Sequence, residues 1–289
     1  MNNIYRTLLL SAALLVPQSI SLTAQDKTPP ARSGSVRFAA IGDMGTGGKE
    51  QYDVAQQMVQ ESQKAPLEFV IMLGDNIYGG KSPAELAKKF DLPYKQLLDA
   101  GVQFYASLGK HDDTNERFYK PFNMNGQRYY TFKKGAVRFY ALDSTYMDPV
   151  QLAWLEKELA SAGTDWKICY FHHPLYSSAA FHGSSTELRA LLEPMFVKYG
   201  VNVVFAGHEH VYERTKPQKG IYYFTEGASG ELRAGNLRQS DFKAFGFDRD
   251  QSFLVLEVSG DELAFRAISR TGVTVDSGTI HRSAASAPR

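Results

Sequence analysis

The sequence predicts an α/β layered fold of two packed mixed β-sheets flanked by helices, and three observations point to it. First, short apolar, β-rich runs recur along the chain, and each ends in a polar cluster. Residues 36–41 run into Gly42-Asp43-Met44-Gly45, 69–73 into Gly74-Asp75-Asn76-Ile77-Tyr78, and 104–108 into Gly109-Lys110-His111-Asp112. Residues 168–171 run into His172-His173-Pro174, and 201–206 into Gly207-His208-Glu209-His210. Runs this short and apolar suit strands buried on both faces. Second, helical stretches at 49–64, 83–100, 149–162 and 185–199 separate several of these runs. Third, residues 128–143 read as a hairpin and 221–280 as mostly strand and turn. That leaves too few helices on the C-terminal side for one doubly wound sheet, so two packed sheets fit better.

From the N-terminus onward, each segment has a physical reading. Arg6, the apolar stretch 8–16 and the small residues Ser19, Ser21 and Ala24 read as a signal peptide over 1–24. The stretch is shorter than the ~20 residues a membrane span needs. With no cysteine near the junction, the expectation is an exported protein, periplasmic or secreted, with no membrane anchor after cleavage. Pro29, Pro30 and Gly34 mark 25–35 as a linker, 36–281 as one domain, and 282–289 as a frayed polar tail. Pro83 and Pro149 suit helix starts, and Gly163 and Gly200 suit helix ends. Ser259-Gly260-Asp261 and Arg270-Thr271-Gly272 read as turns between C-terminal strands.

Composition narrows the chemistry. Lys and Arg number 32 against 31 Asp and Glu, a formal net charge of +1 that leaves no electrostatic footprint for nucleic acid or anionic lipid. Hydrophobic residues at 43% argue against disorder. The single cysteine, Cys169, excludes an intrachain disulfide framework, a cysteine zinc knuckle and an iron–sulfur cluster. Any metal must therefore be held mainly by His and carboxylates. Cys169 itself lies in the strand before His172 and is expected to be a buried, inert thiol.

Ligands of layered α/β folds gather at the carboxyl ends of strands, where nearly every unusual polar cluster falls here. Taken singly, each is weak. A Gly-Asp after a strand is commonly a turn, and His172 alone could be a core histidine. His208 and His210 are stronger, because two residues apart on extended chain they point the same way. The five clusters in order are stronger still.

In those clusters the chain resembles the calcineurin-like metallophosphoesterases, and among them the small, single-domain purple acid phosphatases of the tartrate-resistant type. The family's blocks GDxG, GDxxY, GNH(D/E), a strand followed by His, and GHxH stand here as GDMG (42–45), GDNIY (74–78), GKHD (109–112), YFHHP (170–174) and GHEH (207–210). Tyr78 matches the marker of the purple subgroup. The resemblance spans roughly residues 36–281. It implies an α/β/β/α sandwich and a dinuclear metal centre of Fe(III) plus a divalent ion, Fe, Zn or Mn. Asp43, Asp75, Tyr78 and His210 would hold the first ion. Asp75 would bridge to the second, held also by His172 and His208. An activated hydroxide would then attack a small phosphate monoester. His111 would contact the phosphoryl oxygens or else brace its loop, His182 would protonate the leaving group or else be a plain loop residue, and Asp112 would orient His111. His173 is expected not to be a ligand, since its neighbour takes that position.

One family ligand is missing. Lys110 stands where the resemblance expects an Asn that binds the second ion, and an ammonium has no lone pair to donate. Lys110 could lose its proton and ligate, swing out, or replace the second ion with fixed charge. Each outcome is expected to weaken the second site. Lys110 motivates one alternative, a degenerate, non-catalytic metal- or phosphate-binding protein; the other, a phosphodiesterase, stays open because selectivity resides in loops such as 176–185 and 227–238.

Overall fold

The structure is a computed structural model that describes residues 34–282. The expected signal peptide, residues 25–33 of the linker and residues 283–289 of the tail lie outside the described residues. In chain order the strands are β1 (Val36–Ile41), β2 (Phe69–Leu73), β3 (Gln103–Ser107), β4 (Tyr130–Lys134), β5 (Val137–Ala141), β6 (Trp166–Tyr170) and β7 (Val203–Ala206). They continue with β8 (Tyr212–Thr215), β9 (Tyr222–Glu226), β10 (Lys243–Phe247), β11 (Ser252–Ser259), β12 (Glu262–Ser269) and β13 (Thr274–His281). The helices are α1 (Lys49–Lys64), α2 (Pro83–Leu86), α3 (Lys95–Asp99), α4 (Pro149–Ala160) and α5 (Thr186–Tyr199).

Two mixed sheets result, as the sequence predicts. One has the order β13-β12-β11-β1-β2-β3, the other β10-β8-β9-β7-β6-β5-β4. In the first, β1, β2 and β3 are parallel, and β11 joins the far edge of β1 antiparallel. In the second, β5, β6, β7 and β9 are parallel.

Side-chain alternation builds the layers. Phe38 and Ala40 of β1, Phe69 and Ile71 of β2, and Trp166 and Ile168 of β6 meet in one core between the sheets. The intervening Ala39, Ile41, Val70 and Met72 face outward onto Val54, Ala55 and Met58 of α1. Cys169 and Val204 face the other way onto Leu155 and Leu159 of α4 and Leu188 and Phe196 of α5. Strands covered on both faces must be apolar throughout, which explains the uninterrupted apolar runs. Cys169 is fully buried, and burial raises its thiol well above the ordinary value, matching the inert role expected of it.

Helix ends follow local chemistry. The Asp148 side chain accepts from the Gln151 amide with Pro149 in the first turn, and Gly200 closes α5 at φ 67°. The single helix expected over 83–100 is instead interrupted. A π-helical turn follows α2 at Ala87–Asp91, and the chain turns before α3 begins at Lys95. Pro93 sits at that break and has no N–H to donate to a continuing helix, although Leu92 before it keeps helical backbone.

Candidate metal centre

The carboxyl ends of β1, β2 and β3 in one sheet and of β6 and β7 in the other carry the five polar clusters, and the two sheets bring them together. Close backbone approach fixes the meeting. A Cβ on Gly42 would lie 2.3 Å from the Glu226 carbonyl oxygen, and one on Gly207 would lie 2.5 Å from Asp43 Oδ2. The ends of β1, β7 and β9 therefore touch through glycine.

Asp43, Tyr78, Asp75 and His210 converge. Tyr78 Oη donates to Asp43 Oδ1 at 3.1 Å and lies 3.3 Å from Asp75 Oδ2 and 3.3 Å from His210 Nε2. His210 Nε2 is also 3.3 Å from Asp43 Oδ1. The His208 amide donates to Asp43 Oδ2 at 2.7 Å. His172 links this group to a second one: its Nε2 is 3.4 Å from Asp75 Oδ2 and 3.1 Å from His208 Nδ1. Its Nδ1 lies 3.1 Å from the Leu73 carbonyl oxygen, which can only accept, so Nδ1 carries a proton and Nε2 is the nitrogen turned toward Asp75 and His208. Possible ligand atoms of Asp43, Asp75 and His172 all lie within 4.8 Å of one another, as do those of His172, His173 and His208. His173, expected from the sequence not to be a ligand, thus stands in the second cluster.

Three of these residues have left-handed backbone: Asp43 at φ 52°, Asp75 at φ 50° and His208 at φ 70°. Such conformations cost of order 1–3 kcal/mol each at non-glycine residues. Electrostatics show what the pocket suits. Burial alone would raise the Asp75 carboxyl, but the His172 imidazole and the His111 amide outweigh it and hold Asp75 at about 2. Burial and the Asp43 and Asp75 carboxylates push the Tyr78 phenol above its ordinary value. Two carboxylates, a phenol and several imidazoles thus crowd their donor atoms together, mostly away from water. That donor set fits a pair of cations: hard oxygens on one side, imidazoles on the other, Asp75 between.

The surrounding residues divide by position. The His111 amide donates to Asp75 Oδ1 at 2.8 Å, and its exposed imidazole lies 5.2 Å from the Tyr78 ring, centre to centre. Asp112 was expected to orient His111, but its hydrogen bonds among the described residues tie two loops together. Its carboxylate accepts from the Asn76 amide at 2.7 Å, the Ile77 amide at 3.1 Å, Asn76 Nδ2 at 2.8 Å and the Gly109 amide at 2.8 Å. Desolvation, followed by repulsion from Asp75, raises Asp112 to about 7. His182 lies over His208, rings 4.1 Å apart and 21° from parallel. Burial, then the charges of Lys110 and Arg233, lower His182 to about 4. Lys110 is exposed, and its Nζ lies 3.4 Å from His182 Nε2.

Sequence reasoning missed Glu209. Its buried carboxylate accepts from the His182 and Gly183 amides at 2.8 and 2.5 Å, pinning the His182 loop beside His208. The available signal was an acidic residue between two histidines. Glu226 was also missed. Buried at the end of β9, it accepts from the Ser252 hydroxyl at 3.1 and 3.0 Å, and burial raises its carboxyl from 4.5 to about 8. A carboxyl raised on folding binds its proton more tightly in the folded state. Its contribution to stability is full below pH 4.5 and is lost as pH rises toward 8. Glu226→Gln should therefore change the melting temperature little at pH 5 but raise it by ~2 °C or more at pH 8.5, read by calorimetry at both pH values.

Comparison with known proteins places this arrangement. Tartrate-resistant acid phosphatase type 5 of Oryctolagus cuniculus is 24% identical over 92% of this chain and 94% of its own. Fe(3+)-Zn(2+) purple acid phosphatase 12 of Arabidopsis thaliana is 29% identical over 64% of this chain and 45% of its own. The solved purple acid phosphatase PPD1 of yellow lupin (Lupinus luteus) seeds superposes with a TM-score of 0.73 at 22% identity, over 88% of this chain and 55% of that one. The family model described as calcineurin-like phosphoesterase matches residues 36–212. That match covers more than half of the chain, and the protein belongs to the calcineurin-like phosphoesterase family.

Proposed function

We propose that the protein is an exported phosphatase of the acid phosphatase type, hydrolysing small phosphate monoesters at a dinuclear centre of Fe(III) and a divalent ion, Fe, Zn or Mn. The observation that carries this reading is the convergence of Tyr78 with Asp43, Asp75 and His210 beside the His172–His208 pair. Asp43, Asp75, Tyr78 and His210 would hold Fe(III), and Asp75, His172 and His208 the divalent ion. When bound, such a pair makes water acidic enough to act as nucleophile and clamps phosphate oxygens.

The chain's own residues supply the rest. His111, exposed beside Tyr78, meets the phosphoryl oxygens as charge builds on them. Lys110 adds positive charge at the mouth, next to His182, and so attracts the anionic ester. His182, held by Glu209 over His208, is placed to deliver a proton to the departing alkoxide, and its lowered proton affinity confines that role to acid pH, near 4. Asp112 keeps the β2 and β3 loops in register so that Asp75 and His111 face one another. No helix among the described residues is long and apolar enough to cross a membrane. Export itself rests on the sequence of residues 1–24.

The test is metal content and turnover of an aryl phosphate with purified protein. Wild type should hold two ions per chain, hydrolyse the ester and show a purple phenolate-to-Fe(III) band. Tyr78→Phe should keep the fold and lose the colour. Fewer than one ion per chain with no hydrolysis would sink the proposal in favour of a degenerate binding protein, and a diester hydrolysed faster than the monoester would favour the phosphodiesterase reading.

A further inference from the structure

Lys110 leaves the second ion one ligand short of the family pattern, while the structure brings an additional nitrogen to the same cluster. We propose that His173 completes the second metal site of this protein, its Nε2 taking the place of the amide oxygen that Lys110 has removed. The inference rests on the dinuclear reading above.

Three observations carry it. Ring nitrogens of His172, His173 and His208 all lie within 4.8 Å of one another. Nitrogen ligands of one zinc ion at about 2.1 Å are at most about 4.2 Å apart, so small side-chain shifts close the cluster. The rings are also neighbours, with His173 4.5 Å from His208 and 4.9 Å from His172, centre to centre.

Second, His173 is held as a ligand is. Its Nδ1 lies 2.9 Å from Ser144 Oγ, and its backbone amide donates to the same oxygen at 3.1 Å. Ligation through Nε2 fixes the ring proton on Nδ1, where Ser144 accepts it, the outer partner that ligating imidazoles commonly have. Third, Lys110 does not compete for the position, since its exposed ammonium is aimed at His182 Nε2. The sequence reading set His173 aside because its neighbour, His172, takes the ligand position. But β6 ends at Tyr170, and beyond it both imidazoles turn into the same space.

The replacement changes the site's chemistry. Three imidazoles and one carboxylate favour Zn(II) over Mn(II). The experiment titrates Zn(II), against a competing chelator, into Fe(III)-loaded wild type, His173→Ala and His173→Phe. The Phe variant keeps the ring volume without a nitrogen, so one of the two reads the affinity if the other does not fold. Both should bind the second ion about tenfold or more weakly while keeping the first ion and the purple band. In a Lys110→Asn background the same change should cost much less, because the restored amide oxygen can ligate. Folded His173 variants that bind Zn(II) as tightly as wild type would overturn the assignment while leaving the dinuclear reading intact. A wild type that binds no second ion would overturn both.

Discussion

Asp75→Asn is expected to lower aryl phosphate hydrolysis by on the order of 10³-fold, as for removal of a key charge-stabilising group, and to reduce bound metal to one ion per chain or none. Asp75 is where the two halves of the site meet. Its Oδ1 accepts the His111 amide, and its Oδ2 lies 3.3 Å from Tyr78 Oη and 3.4 Å from His172 Nε2. An amide keeps the shape but removes the charge. It also turns an N–H₂ toward one of these partners. Because the amide oxygen can still take the His111 N–H, the fold should survive, which calorimetry can verify. Elemental analysis and turnover then report the site alone. Two tightly held ions in the variant would show that Asp75 does not bridge.

The largest effect on stability is expected from Gly109→Ala. A Cβ there would lie 2.2 Å from the Asp75 backbone nitrogen and 2.3 Å from Asp75 Oδ1. Neither can step aside cheaply. The nitrogen belongs to the left-handed turn after β2, and Oδ1 is engaged by the His111 amide. Overpacking against backbone costs ~3 kcal/mol, which for a domain of this size lowers the melting temperature by about 6–12 °C. On the proposed dinuclear reading, bound metal should fall even in the folded fraction, because the same methyl displaces the Asp75 carboxylate. A variant with unchanged melting temperature and full metal content would contradict the tight packing of the two loops.

Much of this was legible in the sequence because apolar runs and polar clusters report directly on strands and their ends. The bounds of α1 and the first two strands, the hairpin of β4 and β5, and the strand-rich C-terminal part follow from local pattern. What was not legible depends on distant partners. β11 pairs with β1 in antiparallel register, Val36 opposite Val258, and no local signal encodes so remote a neighbour. In the site, the converging carboxylates, Tyr78 and the His208 and His210 pair stood out as pairs and motifs, whereas Asp112, Glu209 and His173 did not yield their contacts. Each acts just beyond a strand end, where period-two alternation lapses and loop trajectory decides which way a side chain points.

The left-handed backbone at Asp43, Asp75 and His208 also bears on how such a protein could change over generations. Residues that hold strained positions for the sake of chemistry are those whose replacement by glycine relieves strain. A lineage released from selection for hydrolysis would relieve that strain as it shed these side chains, set against the loss of the hydrogen bonds that Asp43 and Asp75 accept from the His208 and His111 amides. Lys110, the one departure from the family pattern, is not among the residues with positive φ. Its presence relieves no such strain, so drift toward a more stable fold does not explain it.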